Sequence, residues 1–316
     1  MKSPVNNIFV TGGAGFIGSE FVRYAANNDT VGKIFVIDKL TYAADLSKIQ
    51  SYINSGKVIF LKEDIINSYL FKKEILSSSF LIHFAAETHV DRSIDDGIPF
   101  IHTNINGIYS LLEAAKVNKN LKILIVSTDE VYGSIITGEV DEKTPLNPSS
   151  TYSASKASAD LISIAFMRTF GQRITIARCC NNYGISQNPE KLIPNMINAI
   201  LNGKNITLYG DGLQVREWIH VEDHVNALWT LLIEGNVGEI YNIGTGQRFT
   251  NLEVANAVIE SFKVSSDRIT FIEDRKGHDS RYSLNSEKIK SNFNWRPKNE
   301  FFTGLEKLID QYRELG

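Results

Sequence analysis

The chain has 316 residues, a net charge of -3, 43% hydrophobic residues and 22% charged residues. This length suits one large domain with a smaller partner, and no long run of like charge indicates a nucleic-acid-binding surface. No apolar run approaches about 18 residues, so we expect no membrane span.

The two cysteines, Cys179 and Cys180, are neighbours beside an apolar, strand-like segment. With no third cysteine, the sequence predicts neither a metal cluster nor a disulfide framework, and this suits a reducing compartment. The N-terminus runs straight into a strand and a glycine motif. We therefore expect no signal peptide and a cytoplasmic location.

The first predicted strand, residues 8–11, leads into a glycine-rich turn and a helix to about residue 27. At this spacing Gly12 permits a tight turn, Gly15 lets backbone approach a pyrophosphate, and Gly18 lets the helix pack close to the sheet. Amides at the helix start then face the phosphates. Glycine turns alone are common, but strand, turn, helix and second strand together predict a dinucleotide site.

The second strand, residues 33–37, ends in Asp38, about 20 residues beyond the last glycine of the motif, where an acidic side chain accepts from the adenosine ribose hydroxyls. A carboxylate there also repels a 2′-phosphate, which favours NAD over NADP, although Lys39 beside it weakens this preference. The alternative interpretation is an ordinary turn aspartate.

The third and fourth strands, residues 58–62 and 80–84, are expected to end at the same sheet edge. Asp64 and Ile65 are then placed to border the adenine, and the small pair Ala85 and Ala86 lets the cofactor lie close to backbone. A helix predicted over residues 99–118 carries Thr103 and Asn104, one of which is expected to face the cofactor.

The fifth strand, an apolar run at residues 123–126, delivers Thr128, Asp129 and Glu130 to its carboxyl end. In open α/β sheets this edge is where ligands bind. An adjacent acid pair there is costly unless it has a function. The alternative is a solvated turn with a helix N-cap.

Tyr152 and Lys156 are four residues apart and project from one face of a predicted helix. A tyrosine with a pKa of about 10 is a poor base at neutral pH. A lysine ammonium, together with a positively charged nicotinamide, lowers that pKa. The alternative is a pair of surface residues on an amphipathic helix. The glycine motif and the strand-end Thr128 favour the catalytic interpretation.

The second half of the chain alternates less regularly after a sixth strand at residues 174–177. We predict an α/β fold, a Rossmann-type doubly wound parallel sheet with a smaller C-terminal α/β domain. The NAD-binding domain is expected at residues 1–180, with 217–245 returning to it, and a substrate-binding domain at 181–216 and 246–316. Basic loop residues form a diphosphate site if they converge, and scattered solvated charge if they do not. These residues are Lys191, Arg216, Arg275, His278 and Arg281.

Eight segments carry a family resemblance. They are residues 12–18, 38–42, 83–94, 127–133, 152–156, 181–184, 190–194 and 277–279. In this order they resemble the nucleotide-sugar 4,6-dehydratases of the extended short-chain dehydrogenase superfamily, and among these the group that acts on dTDP-glucose. The loop at residues 184–189 and Thr88 depart from the usual family pattern, which leaves UDP-glucose open beside dTDP-glucose.

The resemblance implies a reaction on a tightly held NAD. Tyr152, assisted by Thr128 and Lys156, takes the proton of the glucose 4-hydroxyl while hydride leaves C4. Glu130 then removes the C5 proton, and protonated Asp129 donates to the departing 6-hydroxyl. Hydride returns to C6 and gives a 4-keto-6-deoxy sugar. Two adjacent carboxylates with separated pKa values suit this elimination.

The resemblance also assigns binding residues. Beside the motif glycines, the cofactor is expected to contact Phe16, Ile17, Asp38, Lys39, Leu40, Thr41, Asp64, Ile65, Ala85, Ala86, Thr103, Tyr152, Lys156 and Asn182. The nucleotide-sugar is expected to contact Thr88, Thr128, Asn181, Lys191, Leu192, Arg216, Asn251, His278 and Tyr282. Family members usually dimerise through helices near residues 100–118 and 152–170.

Three other functions are weighed. A nucleotide-sugar 4-epimerase shares Thr128, Tyr152 and Lys156 but needs no acid–base pair for C5 and C6. A UDP-glucuronate decarboxylase keeps a glutamate like Glu130 but usually has serine in place of Asp129. A non-catalytic dinucleotide-sensing regulator commonly loses the tyrosine or the lysine, and this chain retains both.

Overall fold

The main sheet has seven parallel strands in the order β10-β6-β5-β4-β1-β2-β3, as seen in a computed structural model that describes residues 6–315. Its central strands β1, β4, β5 and β6 are apolar runs buried on both faces, as expected when helices cover a parallel sheet. The predicted Rossmann-type class is confirmed. The strands are β1 Asn6–Thr11, β2 Val31–Ile37, β3 Val58–Leu61, β4 Phe80–His83, β5 Lys122–Thr128, β6 Arg173–Cys179 and β10 Ile240–Ile243.

Helices cover both faces of this sheet and enclose two apolar cores. One core lies under α1 and α9, and the other lies under α3, α6 and α7. The helices of this part are α1 Phe16–Ala26, α2 Gln50–Asn54, α3 Lys72–Leu76, α4 Val90–Asp95, α5 Ile98–Phe100, α6 Ile108–Ala115, α7 Thr151–Phe170 and α9 Val221–Glu234, with 3-10 turns at Leu46–Ile49, Ile65–Phe71 and Asp129–Tyr132.

Two small sheets and a third apolar core make up the other part of the molecule. A three-stranded sheet has the order β11-β9-β7, and β12 pairs with β8 in parallel. The elements are β7 Asn181–Tyr183, α8 Leu192–Leu201, β8 Ile206–Tyr209, β9 Val215–His220, β11 Arg248–Thr250, α10 Asn251–Phe262, a 3-10 turn at Ser266–Arg268, β12 Ile269–Ile272, α11 Glu287–Phe293 and α12 Phe301–Leu315.

The chain returns to the main sheet with α9 and β10. Strand β10 pairs with β6, and α9 packs against α1, β5 and β6. Strand β9, by contrast, pairs with β7 and β11 in the small sheet. The domain boundaries remain a prediction, and their outermost residues, 1–5 and 316, lie outside the described part of the chain.

The helix predicted at residues 99–118 is present as one helical run from Ile98 to Ala115, with a π-helix at Ile101–Gly107 between α5 and α6. A Cβ on Gly107 would meet the side chain of Ile65 at 2.5 Å, so glycine allows the close approach of these elements. Periodicity alone does not reveal such a wider turn. It carries Thr103 and Asn104, in keeping with the frequency of π-turns at functional sites.

No helix within residues 6–315 is long and apolar enough to cross a membrane. The cytoplasmic location remains a prediction.

Candidate active site

The glycine turn after β1 brings the start of α1 against the end of β4. Gly12 has φ +70°, and a Cβ there would meet the backbone nitrogen of Ala85 at 2.6 Å. A Cβ on Gly18 would collide with the carbonyl oxygen of Gly12. Neither position accepts a side chain, so the cavity floor at this point is bare backbone. The helix N-terminus that follows is suited to a phosphate.

Asp38 lies at the end of β2 with both carboxylate oxygens held. Ala14 N donates to Oδ2 at 3.0 Å and Leu40 N donates to Oδ1 at 2.9 Å. Leu40 adopts φ +56° to turn its amide back. Burial raises the pKa of Asp38, while these backbone donors lower it. The carboxylate is thus oriented along the cavity wall, where the ribose was expected.

Lys39 connects the ends of three neighbouring elements. Its Nζ donates to Thr103 Oγ1 at 3.0 Å and lies 3.3 Å from Glu87 and 3.8 Å from Asp64. Two carboxylates therefore neutralise this cation before any ligand binds. Its presence beside Asp38 does not make the pocket strongly positive.

The Thr128 side chain caps the short turn that carries the two acids. Its Oγ1 accepts from Glu130 N at 3.3 Å and donates to Asp129 Oδ1 at 3.1 Å. Burial, followed by the charge of Glu130, raises the pKa of Asp129 well above its ordinary value. Burial also raises the pKa of Glu130, but Arg216, Arg275 and Lys191 oppose this. The environments separate the pair into an acid that holds its proton and a neighbour that releases one more easily.

Helix α7 presents Tyr152 and Lys156 to the turn. Ser150 caps the helix in a reciprocal capping box with Ser153, which sets where the helix begins. The Nζ of Lys156 donates to the carbonyl oxygen of Val126 at 2.7 Å. Burial lowers the pKa of Lys156 to about 8, and Asp160 opposes that shift.

The pKa of Tyr152 lies well above its ordinary value, mainly because the phenol is buried, and then because Glu130 and Asp129 are negative. The Thr128 hydroxyl opposes the shift. The sequence predicts the reverse direction, from Lys156 and a positively charged nicotinamide acting together. In the protein alone, the ammonium is directed to Val126, and burial and carboxylates dominate.

One cavity brings most of the predicted site residues together. Its lining includes four predicted catalytic side chains: Thr128, Asp129, Glu130 and Tyr152. It also includes the predicted cofactor residues Gly12, Gly15, Phe16, Ile17, Gly18, Asp38, Lys39, Thr41, Asp64, Ile65, Ala85, Ala86, Thr103 and Asn182, and the predicted substrate residues Thr88, Asn181, Lys191 and Leu192.

Six predicted residues lie outside this lining. The Leu40 amide serves Asp38, and Lys156 lies behind the cavity wall. The other four belong to the second part of the molecule. The guanidinium of Arg216 lies 4.3 Å from the ring centre of Tyr282 and donates to Asp279 O at 2.8 Å. The ring of His278 pairs with Asp274 at 2.6 Å. Asn251 donates to Gln214 at 3.4 Å.

Several cavity residues were not predicted. Cys179 ends β6 and Cys180 follows it, at the same sheet edge as the acids, so the strand-end rule that led to Thr128 was sufficient to find them. His224 had no comparable signal. It lies on α9, and its Nδ1 is 2.8 Å from Asn182 Oδ1. Gln187 and Trp218 also line the cavity.

Comparisons with known proteins cover nearly the whole chain. A family model described as GDP-mannose 4,6 dehydratase matches residues 9–308. The low-salt glycan biosynthesis protein Agl12 of Haloferax volcanii is 44% identical over 97% of this chain and 98% of its own length. A dTDP-glucose 4,6-dehydratase of Streptomyces niveus is 41% identical over 97% of this chain and 93% of its own length.

Solved structures agree in fold. The dTDP-glucose 4,6-dehydratase DesIV of Streptomyces venezuelae, determined with NAD bound, is 42% identical with a TM-score of 0.94, covering 98% of this chain and 97% of that one. A UDP-glucuronic acid 4-epimerase of Bacillus cereus has a TM-score of 0.92 at 27% identity, covering 98% and 100%. Backbone likeness thus extends to epimerases, while sequence likeness is higher to the dehydratase.

Proposed function

Because the chain belongs to the nucleotide-sugar 4,6-dehydratase family, we propose that it converts a nucleoside-diphosphate glucose to the 4-keto-6-deoxy sugar with NAD. The observation that carries this proposal is the buried Asp129–Glu130 pair, which lines the same cavity as Tyr152 and the glycine turn. Elimination of water from C5 and C6 needs one base and one acid, and these carboxyls have separated pKa values.

The residues present fit NAD. The bare backbone at Gly12 and the start of α1 suit the pyrophosphate, and the oriented Asp38 carboxylate suits ribose hydroxyls and disfavours a 2′-phosphate. When bound, NAD supplies the acceptor for the C4 hydride and the donor of the hydride that C6 receives. We assign the remaining cofactor contacts to the lining residues Phe16, Ile17, Lys39, Thr41, Asp64, Ile65, Ala85, Ala86, Thr103 and Asn182.

Tyr152 takes the proton of the sugar 4-hydroxyl, and Thr128 positions that hydroxyl. The phenol is buried, so its proton leaves readily only when positive charge is close. Lys156 is a buried cation on the same helix face, four residues on. We therefore assign Lys156 to stabilising the phenolate.

Glu130 accepts the C5 proton once C4 is a ketone, because three cations favour its ionised form. Asp129 donates a proton to the 6-hydroxyl, which leaves as water. Burial keeps Asp129 protonated, as an acid catalyst needs. Glu130 returns a proton to C5 as C6 is reduced, Tyr152 releases the proton of the 4-hydroxyl and Asp129 regains one, so the atoms of one water are lost and no net oxidation occurs.

The nucleotide-sugar occupies the boundary between the two parts of the chain. Lys191 and Arg216 supply positive charge for the diphosphate, since both lower the pKa of Glu130 at the cavity. Thr88, Asn181, Leu192, Asn251, His278 and Tyr282 complete the proposed contacts. This assigns residues 1–180 and 217–245 to the cofactor and 181–216 and 246–316 to the nucleotide-sugar.

We favour dTDP-glucose over UDP-glucose because relatives above 40% identity carry that substrate in their names.

A homodimer is proposed through the face formed by the π-helix, α6 and α7. Tyr109 and Leu161 on this face are 53% and 58% exposed, and Ile101 is 41% exposed. The ring of Tyr109 packs edge-on against Phe166 at 5.7 Å, so the two helices present a continuous apolar surface. Such a surface favours association with a second copy.

Turnover in heavy water tests the proposed function. The product of dTDP-glucose should carry deuterium at C5, because Glu130 exchanges its proton with solvent before C5 is reprotonated. A 4-epimerase would return an isomer of unchanged mass with no 4-keto-6-deoxy product. Parallel assays with dTDP-glucose and UDP-glucose decide the nucleotide. Retention of the original C5 hydrogen in a dehydrated product would contradict the role of Glu130.

A further inference from the structure

A buried polar chain runs beneath the catalytic residues from Asp160 through Arg178 to Tyr132. Arg178 Nε donates to Asp160 Oδ2 at 2.9 Å, and its Nη1 donates to the Tyr132 hydroxyl at 2.8 Å. That hydroxyl donates onward to Asn242 Oδ1 at 2.8 Å. All four side chains are at most 2% exposed. Hydrogen bonds between groups that are shielded from water are stronger than the same hydrogen bonds at the protein surface.

The two ends of this chain lie next to different parts of the catalytic machinery. Asp160 lies on α7, four residues after Lys156 and on the same helix face. Tyr132 closes the four-residue turn that begins with Asp129 and Glu130. Arg178, on β6 between them, therefore connects the helix of the proton acceptor to the turn of the elimination pair.

Val131 in this turn is fully buried and its carbonyl accepts from Asn147 N at 3.0 Å, but polar side-chain anchors are few among residues 6–315. At its start, the Thr128 cap is a hydrogen bond of 3.3 Å. At its end, Gly133 has φ +70°, and a Cβ there would collide with Asn147 O. The Tyr132 hydroxyl is held from both sides at 2.8 Å. Its attachment to Arg178 and Asn242 thus fixes the polar end of the turn that carries the two carboxyls.

We propose that Arg178 and Tyr132 are positioning residues for the elimination step, which keep the Asp129–Glu130 turn in register with the Tyr152–Lys156 helix. This inference rests on the proposed dehydratase function. It concerns the second chemical step specifically. Tyr152 and Lys156 lie on a helix with its own capping box, whereas the end of the turn is hydrogen-bonded through the Tyr132 hydroxyl.

The charges of Asp160 and Arg178 determine which substitutions are suitable for testing this proposal. Asp160 is the carboxylate paired with Arg178, and it also favours the charged form of Lys156. Asp160→Asn would leave a buried guanidinium without its counter-ion and would threaten folding. Tyr132→Phe removes only a hydroxyl. Arg178→Lys keeps the charge but loses the fork that reaches both partners.

The experiment compares three rates in the holoenzyme with dTDP-glucose: reduction of bound cofactor by absorbance, C5 exchange in heavy water, and elimination, measured as formation of the dehydrated product. For Tyr132→Phe we expect cofactor reduction within about twofold of the unmodified protein. Exchange and elimination should fall by roughly ten- to a hundredfold, the scale for a misplaced catalytic group. Reduced cofactor should therefore accumulate during turnover.

Tyr241→Phe is the matched control. Tyr241 is a fully buried tyrosine on β10 beside Asn242, and its hydroxyl has no hydrogen-bond partner within the described residues. Its removal should leave all three rates unchanged. Arg178→Lys should repeat the accumulation of reduced cofactor, and it decides the question if Tyr132→Phe does not fold.

Equal losses in reduction and elimination, with a lower melting temperature, would show that the Asp160–Arg178–Tyr132 network only stabilises the fold. That result would overturn the inference. Unchanged partitioning in Tyr132→Phe would do the same. If the unmodified protein itself shows neither cofactor reduction nor C5 exchange with either nucleotide-glucose, the proposed function fails first, and the inference fails with it.

Discussion

Thr128 donates its hydroxyl to Oδ1 of Asp129 at 3.1 Å, while Oδ2 of the same carboxyl is buried with no partner among residues 6–315. A protonated carboxyl has one donor and keeps acceptor capacity on its other oxygen. Because Oδ1 already accepts, the proton of the neutral acid belongs on Oδ2. The Thr128–Asp129 contact therefore leaves Oδ2 as the oxygen that would donate if Asp129 is the proposed acid.

Neutralising Glu130 and neutralising Asp129 are expected to block different steps of the reaction. Glu130→Gln should abolish C5 exchange in heavy water, because the base is gone, while cofactor reduction falls less. Asp129→Asn should retain C5 exchange but lower product formation by about a hundredfold or more, the scale for a lost acid. Isotope analysis of recovered substrate and product separates the two. Loss of the same step in both variants would contradict this division of roles.

Tyr152→Phe is expected to slow reduction of bound cofactor by roughly a hundred- to ten-thousandfold, since the proton acceptor for the 4-hydroxyl is removed. Single-turnover absorbance of the cofactor measures this step directly. Tyr109→Phe, on the outer face of α6, provides a matched control and should behave like the unmodified protein. Normal reduction in Tyr152→Phe would refute its role as the base.

The first step is expected to weaken as pH rises above about 8. Burial lowers the pKa of Lys156 to about 8, and above this pH the charge that stabilises a Tyr152 phenolate disappears. A pH profile of single-turnover cofactor reduction is the measurement.

Lys156→Arg should remove that fall in cofactor reduction near pH 8, because a guanidinium stays charged throughout this range.

The stability that Lys156 contributes should rise with pH, whereas the rate of the first step falls. The folded pKa of Lys156 lies below its unfolded value of 10.5, so the unfolded chain binds more protons between these values. The free energy of unfolding contributed by this group therefore rises with pH across that window. If the fall in cofactor reduction near pH 8 persists in Lys156→Arg, another group is responsible for that titration.

Leu161→Lys is expected to convert the proposed dimer to a monomer, because it places a charge in the apolar face of α7. Light scattering during size-exclusion chromatography measures the mass. Leu213→Lys is the control, since Leu213 is 57% exposed, close to the 58% of Leu161, but lies away from α6 and α7. A dimer that survives Leu161→Lys, or a monomer in the unmodified protein, would reject this interface.

The sequence predicted the main sheet and its ligand edge with short-range signals. Gly12, Asp38 and Thr128 each follow an apolar strand, and the carboxyl ends of parallel strands meet at one edge. Their shared cavity thus follows from local pattern and a general rule of topology. Their roles as binding and catalytic residues remain predictions that the experiments above test.

Other features depended on contacts between residues far apart in the chain. His224 reaches Asn182 across 42 positions, and Arg178 reaches Tyr132 across 46. No periodicity reports such pairs. The π-turn at Ile101–Gly107 likewise occurs where Ile65, more than 40 residues away in sequence, approaches Gly107 closely.

By itself, the sequence determined which side chains stand at strand ends and helix starts, because backbone geometry converts spacing into position. Only the tertiary structure decided how those groups titrate and what holds them. The pKa of Asp129, Glu130 and Tyr152 depends on burial and on charges brought in from distant segments. Desolvation is a property of the packed molecule, and it has no counterpart in a linear pattern.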